Sequence, residues 1–293
     1  MQFGSLSAPM CVLALAGFNQ AEALEMPQLG GKLPLTRGVT QIEGASGAGL
    51  APWALIAGNE TEDGIGASAF YTRVPLSNYD FTAYGAALGF FDRFEISYAH
   101  QEFDTGSTGT LLGLGEGFTF EQDIFGAKLR VLGDALYGQD TWAPQVAVGI
   151  QYKQAEHDAL IHALGGEDDE GIDYYVTATK ILLDDSLLVN ATLRFTEANQ
   201  FGLLGFGGDE EDGHTAQFEV SAAYMFTDRL VGGVEYRTRP DNLGFAEEED
   251  GFDIFAAYAV TDNITLVAGY VDLGSIATFD DQDGAYLSIQ IGL

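Results

Sequence analysis

Cysteine is almost missing from this 293-residue sequence: Cys11 is the single one. No internal disulfide can form, so hydrogen bonding and packing must hold the fold. Basic residues are scarce as well, 12 Lys and Arg against 44 Asp and Glu, a net charge of -32. Nucleic acid is thereby excluded as a partner, because phosphate binding needs a positive surface. Proline is sparse, at 7 residues. No apolar run after residue 18 is long enough for a membrane-spanning helix. That last absence leaves a transmembrane β-barrel open, because half of each barrel strand faces away from lipid.

What is abundant is alternation. Between Gly171 and Asn199, Tyr174, Val176 and Ala178 alternate with Asp173, Thr177 and Thr179. After a short break containing Asp184 and Asp185, Leu187, Val189, Ala191, Leu193 and Phe195 alternate with Asn190, Thr192, Arg194 and Thr196. Period two means extended strands, and a break this short means antiparallel pairing through a tight turn. Each run has about ten residues, enough for a tilted strand to cross a bilayer. The same pattern predicts strands near 66–74, 81–90, 94–104, 119–132, 144–154, 171–182, 187–197, 214–226, 230–239, 251–260, 264–272 and 284–292.

Short connections at 91–93, 183–186, 227–229 and 261–263 alternate with long polar loops at 105–118, 155–170, 198–213, 240–250 and 273–283. Turns on one rim and loops on the other predict an all-β, up-and-down antiparallel barrel of the outer-membrane kind. A further strand at 53–58 would run downwards and require an upward partner, for which 36–45 is the candidate. That parity predicts fourteen strands, or twelve if the first hairpin lies off the wall. Across the 227–229 turn, keeping charge away from lipid places Glu219 opposite Arg237.

Met1 to Ala23 reads as a secretory signal, with an apolar core from Ala8 to Phe18 and the small-x-small triplet Ala21-Glu22-Ala23. Residues 24–35, with Pro27, Gly30, Gly31 and Pro34, read as a periplasmic tail or small plug, leaving 36–293 for the barrel. The segments TRGVTQIEGASGAGLAP (36–52) followed by WALIAG, then GASAFYTR, DIFGAKLR, APQVAVGIQYK, ATLRFTEANQFGLLGFGGD, EYRTRPDNLG and GYVDLGSI resemble one proteobacterial secreted family, domain of unknown function 3034. The resemblance covers nearly all of the chain after the signal. It implies an outer-membrane-type protein of a Gram-negative bacterium and carries over no catalytic residue or ligand. The chain departs from outer-membrane habit in ending at Leu293 rather than Phe or Tyr.

The candidate functional residues are the charges predicted to face inward. Lys128, Arg130, Lys153, Arg194, Glu219, Glu235 and Arg237 would line a lumen, either as a charged pore or as a salt-bridge network filling the barrel. If a pore, Arg194 and Arg237 would favour anions at the constriction. Acidic clusters, of which Asp209, Glu210, Glu211 and Asp212 are the metal candidates, fall in long loops. Carboxylates suit loosely held Ca²⁺ or Mg²⁺, but no EF-hand spacing is present. His100 shares an outward face with Ile96 and Tyr98, and no outward serine is identifiable beside it to make a lipid hydrolase. The glycine-rich stretches lack the Lys-Ser/Thr of a phosphate loop.

Three roles therefore stand, in order: a passive channel or transporter for small solutes, a closed structural barrel whose acidic loops bind cations, and an outer-membrane lipid hydrolase. No enzyme activity and no tightly bound cofactor are expected. The expected partners are outer-membrane lipid and lipopolysaccharide, the outer-membrane assembly machinery and small solutes.

Overall fold

Lipid on the outside and a filled lumen on the inside explain nearly every strand residue. The computed structural model describes residues 32–37 and 39–293; the signal segment and most of 24–35 lie outside them. The strands are β1 (Ile65–Pro75), β2 (Asp80–Phe90), β3 (Phe94–Asp104), β4 (Thr119–Leu132), β5 (Gln145–Ala155), β6 (Gly166–Asp168), β7 (Glu170–Leu182), β8 (Leu187–Thr196), β9 (Phe206–Gly208), β10 (Thr215–Thr227), β11 (Leu230–Arg237), β12 (Gly251–Ala259), β13 (Ile264–Asp272) and β14 (Asp283–Gly292). Twelve of them form a closed antiparallel barrel, in which β1 pairs with β14 from Ser68↔Gly292 to Arg73↔Leu287. The two short strands, β6 and β9, make a separate sheet joining two loops. No helix among the described residues is long and apolar enough to cross a membrane, so the strands would do the crossing.

The expected register holds, with Glu219 directly opposite Arg237. Outward side chains are apolar and exposed, among them Phe218, Val220, Ile150, Val176, Leu287 and Ile289. An apolar belt of this extent would be intolerable in water. On the outer face, four tyrosine hydroxyls donate hydrogen bonds to carboxylates: Tyr98 to Asp123 at 2.7 Å, and, near the loop rim, Tyr152, Tyr236 and Tyr270 to Glu170, Asp250 and Asp283. An amphipathic ring bonded to an acid is what an interfacial girdle needs. Inward aromatics lie over glycines of adjacent strands, Tyr175 over Gly149, Phe255 over Gly233 and Tyr286 over Gly269. The missing side chains make room for the rings as the sheet curls.

The segments 36–45 and 53–58 are not wall strands. Both lie inside the barrel, so the wall has the twelve strands that parity allows when this hairpin is off the wall. Dropping both at once keeps the parity even. Two connections also break the short-long alternation: residues 76–79 are short on the loop rim, and 133–144 are long on the turn rim. Pro34–Thr36 form one 3-10 turn, and the loop 155–170 carries α2 (Asp158–Ala163) after α1 (Thr108–Leu111) in the loop 105–118.

Candidate functional site: a plug in the lumen

The plug is the segment from Val39 to Glu60, buried at every residue but the half-buried Gly49. It enters and leaves at the turn rim, where Gly58 N–H donates to the Arg37 carbonyl at 2.7 Å and Asn59 N–H to that of Leu293 at 2.9 Å. Its backbone is irregular, with single bridges at Thr40↔Ser46 and Gly47↔Pro52. Irregular backbone at membrane depth survives only where the surrounding protein satisfies its polar groups. The inward wall side chains do this. Glu95 accepts from Ser46 N–H at 3.1 Å and Ala57 N–H at 2.8 Å, and Glu235 accepts from Leu50 N–H at 2.7 Å. Thr177, Asn190 and Thr192 all donate to the Pro52 carbonyl, at 3.0, 3.2 and 3.0 Å. Gln145 donates to the Ala54 carbonyl at 2.6 Å, and Trp53 anchors the returning limb by donating from its indole to Ser221 Oγ at 3.2 Å. The turn at the apex is tight enough that a Cβ on Gly47 would lie 2.3 Å from the Ala51 carbonyl oxygen.

At the centre is Glu43, fully buried. Its carboxylate meets Lys153 Nζ at 2.5 Å, Arg237 at 2.9 Å and Arg194 at 3.2 Å. Asp173 holds Lys153 at 2.9 Å and Arg194 at 3.0 Å, and Glu219 holds Arg194 at 2.5 Å and Arg237 at 3.4 Å. Three cations and three carboxylates therefore balance. Burial alone would raise the Glu43 pKa, but Arg237, Lys153 and Arg194 outweigh it and hold the group well below the usual carboxylate range. Over the loop-rim side lies Phe201, from the loop 197–214, with the Arg237 and Arg239 guanidiniums 4.7 and 5.2 Å from its ring centre. The Phe201 carbonyl accepts from Lys153 at 3.0 Å and Gln122 at 3.2 Å. Glu43 is thus clamped between the wall and an inward-folded loop.

All seven inward charges expected from sequence do face the lumen, and all are buried. Lys128 pairs with Glu95 at 3.0 Å and donates to the Ser46 and Trp53 carbonyls, while Arg130 pairs with Asp92 near the turn rim. Arg194 and Arg237 do not line an open constriction, because Glu43 occupies the space between them. Six of the twelve basic residues of the chain, the five named inward cations with Arg239, are buried in the interior, while Lys180, on the outward face of β7, is buried under the 133–144 connection, where it donates to the Gly138 carbonyl. Their concentration in the lumen leaves an acidic exterior. Sequence reasoning missed Glu43 because it falls in a run read as a wall strand.

The other candidates fare differently. Asp209, Glu210, Glu211 and Asp212 are exposed. Asp209 accepts from Gly244 N–H at 2.9 Å, and among the described residues no three His, Cys, Asp or Glu side chains converge as metal ligands. His100 binds Asp123 through Nδ1 at 2.9 Å and has Glu102 and Glu121 at 3.7 and 3.8 Å.

Beside the plug the lumen changes character. On β2, β12 and β13 the inward residues are largely apolar, including Phe81, Phe255, Val267 and Val271; β1 adds Phe70 and Val74 beside polar Ser68 and Thr72, and β14 turns Ser288 and Gln290 inward. Between them and the plug residues Val39, Ile42 and Leu50 lies an apolar cavity in which the centre of a water-sized sphere can range over about 60 Å³. A second chamber, about 180 Å³ by the same measure, sits under the loops, and Phe103, Gln200 and Ile276 line both.

A closed twelve-stranded transmembrane barrel with a folded-in plug defines an outer-membrane-type β-barrel of porin-like fold. The chain belongs to the family described as protein of unknown function DUF3034, whose model matches residues 36–290. No curated protein matches the sequence. The barrel is similar to the KdgM porin, at TM-score 0.51 and 9% identity over 77% of this chain and 99% of that one. It is also similar to the NanC porin, at TM-score 0.51 and 10% identity over 78% and 100%. The outer membrane phospholipase A from Escherichia coli matches more distantly, at TM-score 0.43 and 10% identity over 78% and 92%.

Proposed function

We propose that this protein is a passive outer-membrane channel for small solutes, closed at rest by its own plug, with the turn rim periplasmic and the loop rim extracellular. The observation that carries the reading is how the plug is held. Its ties to the wall are mainly side-chain bonds and ion pairs rather than a continuous β-ladder, so it can leave without opening the barrel. The chamber beneath the loops and the cavity beside the plug supply the start of a path. A closed structural barrel is the second reading, favoured by the balanced charge cluster around Glu43. His100 is engaged by the carboxylates of Asp123, Glu102 and Glu121, which fits a polar cluster on the outer wall. The acidic loops support loose Ca²⁺ or Mg²⁺ contacts with lipopolysaccharide. Planar-bilayer recording of the refolded chain tests the channel. Rare openings that become frequent when the plug is deleted are expected, and a deletion variant that folds yet never conducts refutes it.

A further inference from the structure

We infer that the cavity beside the plug is a binding site for a small hydrophobic molecule bearing one hydrogen-bond donor, such as a phenol or a hydrophobic alcohol, which reaches it through the chamber under the loops. The inference rests on the channel reading and specifies what that channel carries.

A lumen that handles sugars or ions is lined by polar groups. Here the wall on one side of the plug is polar and largely used up in satisfying the plug, whereas on the other side β12 and β13 are mostly apolar on both faces. On β13, Val267 and Val271 point inward while Leu266 and Tyr270 point outward; on β12, Phe255 points inward between Ile254 and Ala256. Lipid explains the outward set only. The inward set meets a space that the plug does not fill, and an apolar void of this kind stays dry and takes up apolar molecules.

Thr40, Thr72, Gln200, Tyr286, Ser288 and Gln290 also line that void, but each is hydrogen-bonded within the protein; one lining polar atom is not. Asp253 lines the cavity; its Oδ2 accepts from Tyr286 O–H at 2.8 Å, but Oδ1 is buried with no hydrogen-bond partner. Across the strand pair is Glu235, whose oxygens already accept from Leu50 N–H and Ser221 O–H. Among the described residues no Lys or Arg pairs with Asp253 or Glu235, in contrast to the balanced cluster around Glu43. A buried acceptor without a donor is costly, and a ligand hydroxyl would supply the donor. The junction of the two chambers has its own peculiarity. Gln200 and Phe201 sit there in left-handed backbone conformations, at φ 47° and 64°, which side-chain-bearing residues seldom adopt. Gln200 lines both chambers, and Phe201 turns its ring between the inner cavity and the arginines.

The test uses the full refolded chain in nanodiscs, with empty nanodiscs as the partition blank and heat-modifiable migration as the check of folding. Equilibrium dialysis against 1-naphthol should show saturable uptake above the blank. Val271→Phe, which fills the cavity from inside the wall, should abolish that uptake; Val267→Phe on the same strand provides a second filling variant should the first not fold. Asp253→Asn should weaken 1-naphthol about tenfold while leaving naphthalene unchanged, the expected loss of one hydrogen bond. Absence of saturable uptake, or uptake that survives both fillings, overturns the site. Equal effects of Asp253→Asn on 1-naphthol and naphthalene overturn the donor requirement. Conductance of the plug-deleted chain is recorded on the same preparation. Conductance without naphthol binding discards this ligand class and spares the channel, whereas binding without conductance discards the channel.

Discussion

Glu43→Gln is the sharpest perturbation of the plug, because it removes one charge and almost no volume. Lys153 keeps Asp173 at 2.9 Å, Arg194 keeps Asp173 and Glu219, and Arg237 keeps Glu219 at 3.4 Å. No cation is stranded, but three cations now face two carboxylates in a buried space. Removing one member of a buried ion pair costs about 3–5 kcal/mol. Because each cation keeps a partner, the lower end, about 3 kcal/mol, is expected here. At about 1.4 kcal/mol per decade the released-plug population should rise roughly a hundredfold. Two readouts follow it: opening frequency in a planar bilayer, and the rate at which a cysteine placed at Ala48 is labelled by a water-soluble maleimide. The single native cysteine lies at position 11, so the label is clean once that residue is replaced. Glu62→Gln, on an exposed side chain, serves as the control. Unchanged opening and unchanged labelling in Glu43→Gln would refute the claim that Glu43 latches the plug. Because its cations hold Glu43 well below the usual carboxylate range, mild acid should not release the plug by itself.

Burial pushes Glu60 up to about 7 although Lys32 lies 3.2 Å away, and pushes Glu248 up to about 7 against the pull of Arg239. The folded state binds these protons more tightly than the unfolded one, so stability from these groups is fullest below the ordinary value of 4.5 and falls as pH rises towards about 7; Glu60→Gln with Glu248→Gln should flatten thermal stability across that window. Val176→Arg, on the lipid face near mid-strand, should destabilise the barrel by about 2–4 kcal/mol, read from urea unfolding in lipid. Gly58 has φ +92° and its Cβ would lie 2.5 Å from the Gly66 carbonyl carbon, so Gly58→Ala should loosen the plug and raise opening frequency while leaving heat-modifiable migration intact.

The wall was legible because two solvents act on it at once. Lipid outside and a polar interior inside impose period two on β7, β8 and β10, and a one-residue slip would place Arg194 or Glu219 in hydrocarbon. The register at Glu219↔Arg237 therefore follows from composition. The plug was illegible for the opposite reason. Its backbone groups are satisfied by side chains far along the chain, Glu95 for Ala57 and, 250 positions away, Gln290 for Thr40. No local pattern records such bonds, and its apolar residues resemble those of a wall strand. One signal was present: GASGAGLAP at 44–52 is too rich in Gly, Ala and Pro for a central strand. The crowding at Gly47 gives that composition its reason.

The asymmetry of the lumen ties these points together. A plug that served only to fill the barrel would leave no reason for the inward face to change from Thr, Asn, Gln and charge on β5, β7, β8 and β10 to Phe, Val and Ala on β12 and β13. Each polar inward residue on the first side has a plug atom or a neighbouring charge to bond, as Pro52 shows by accepting from three side chains. On the second side the plug presents Val39, Ile42 and Leu50, and β12 and β13 reply with Phe255, Ala257, Val267 and Val271, which stop short of closing the gap. Full packing there would need only longer side chains at Val267, Val271 or Ala257. Close packing is the rule in protein interiors. A void retained beside an unpartnered carboxylate oxygen is therefore the feature of this barrel that filling alone does not explain.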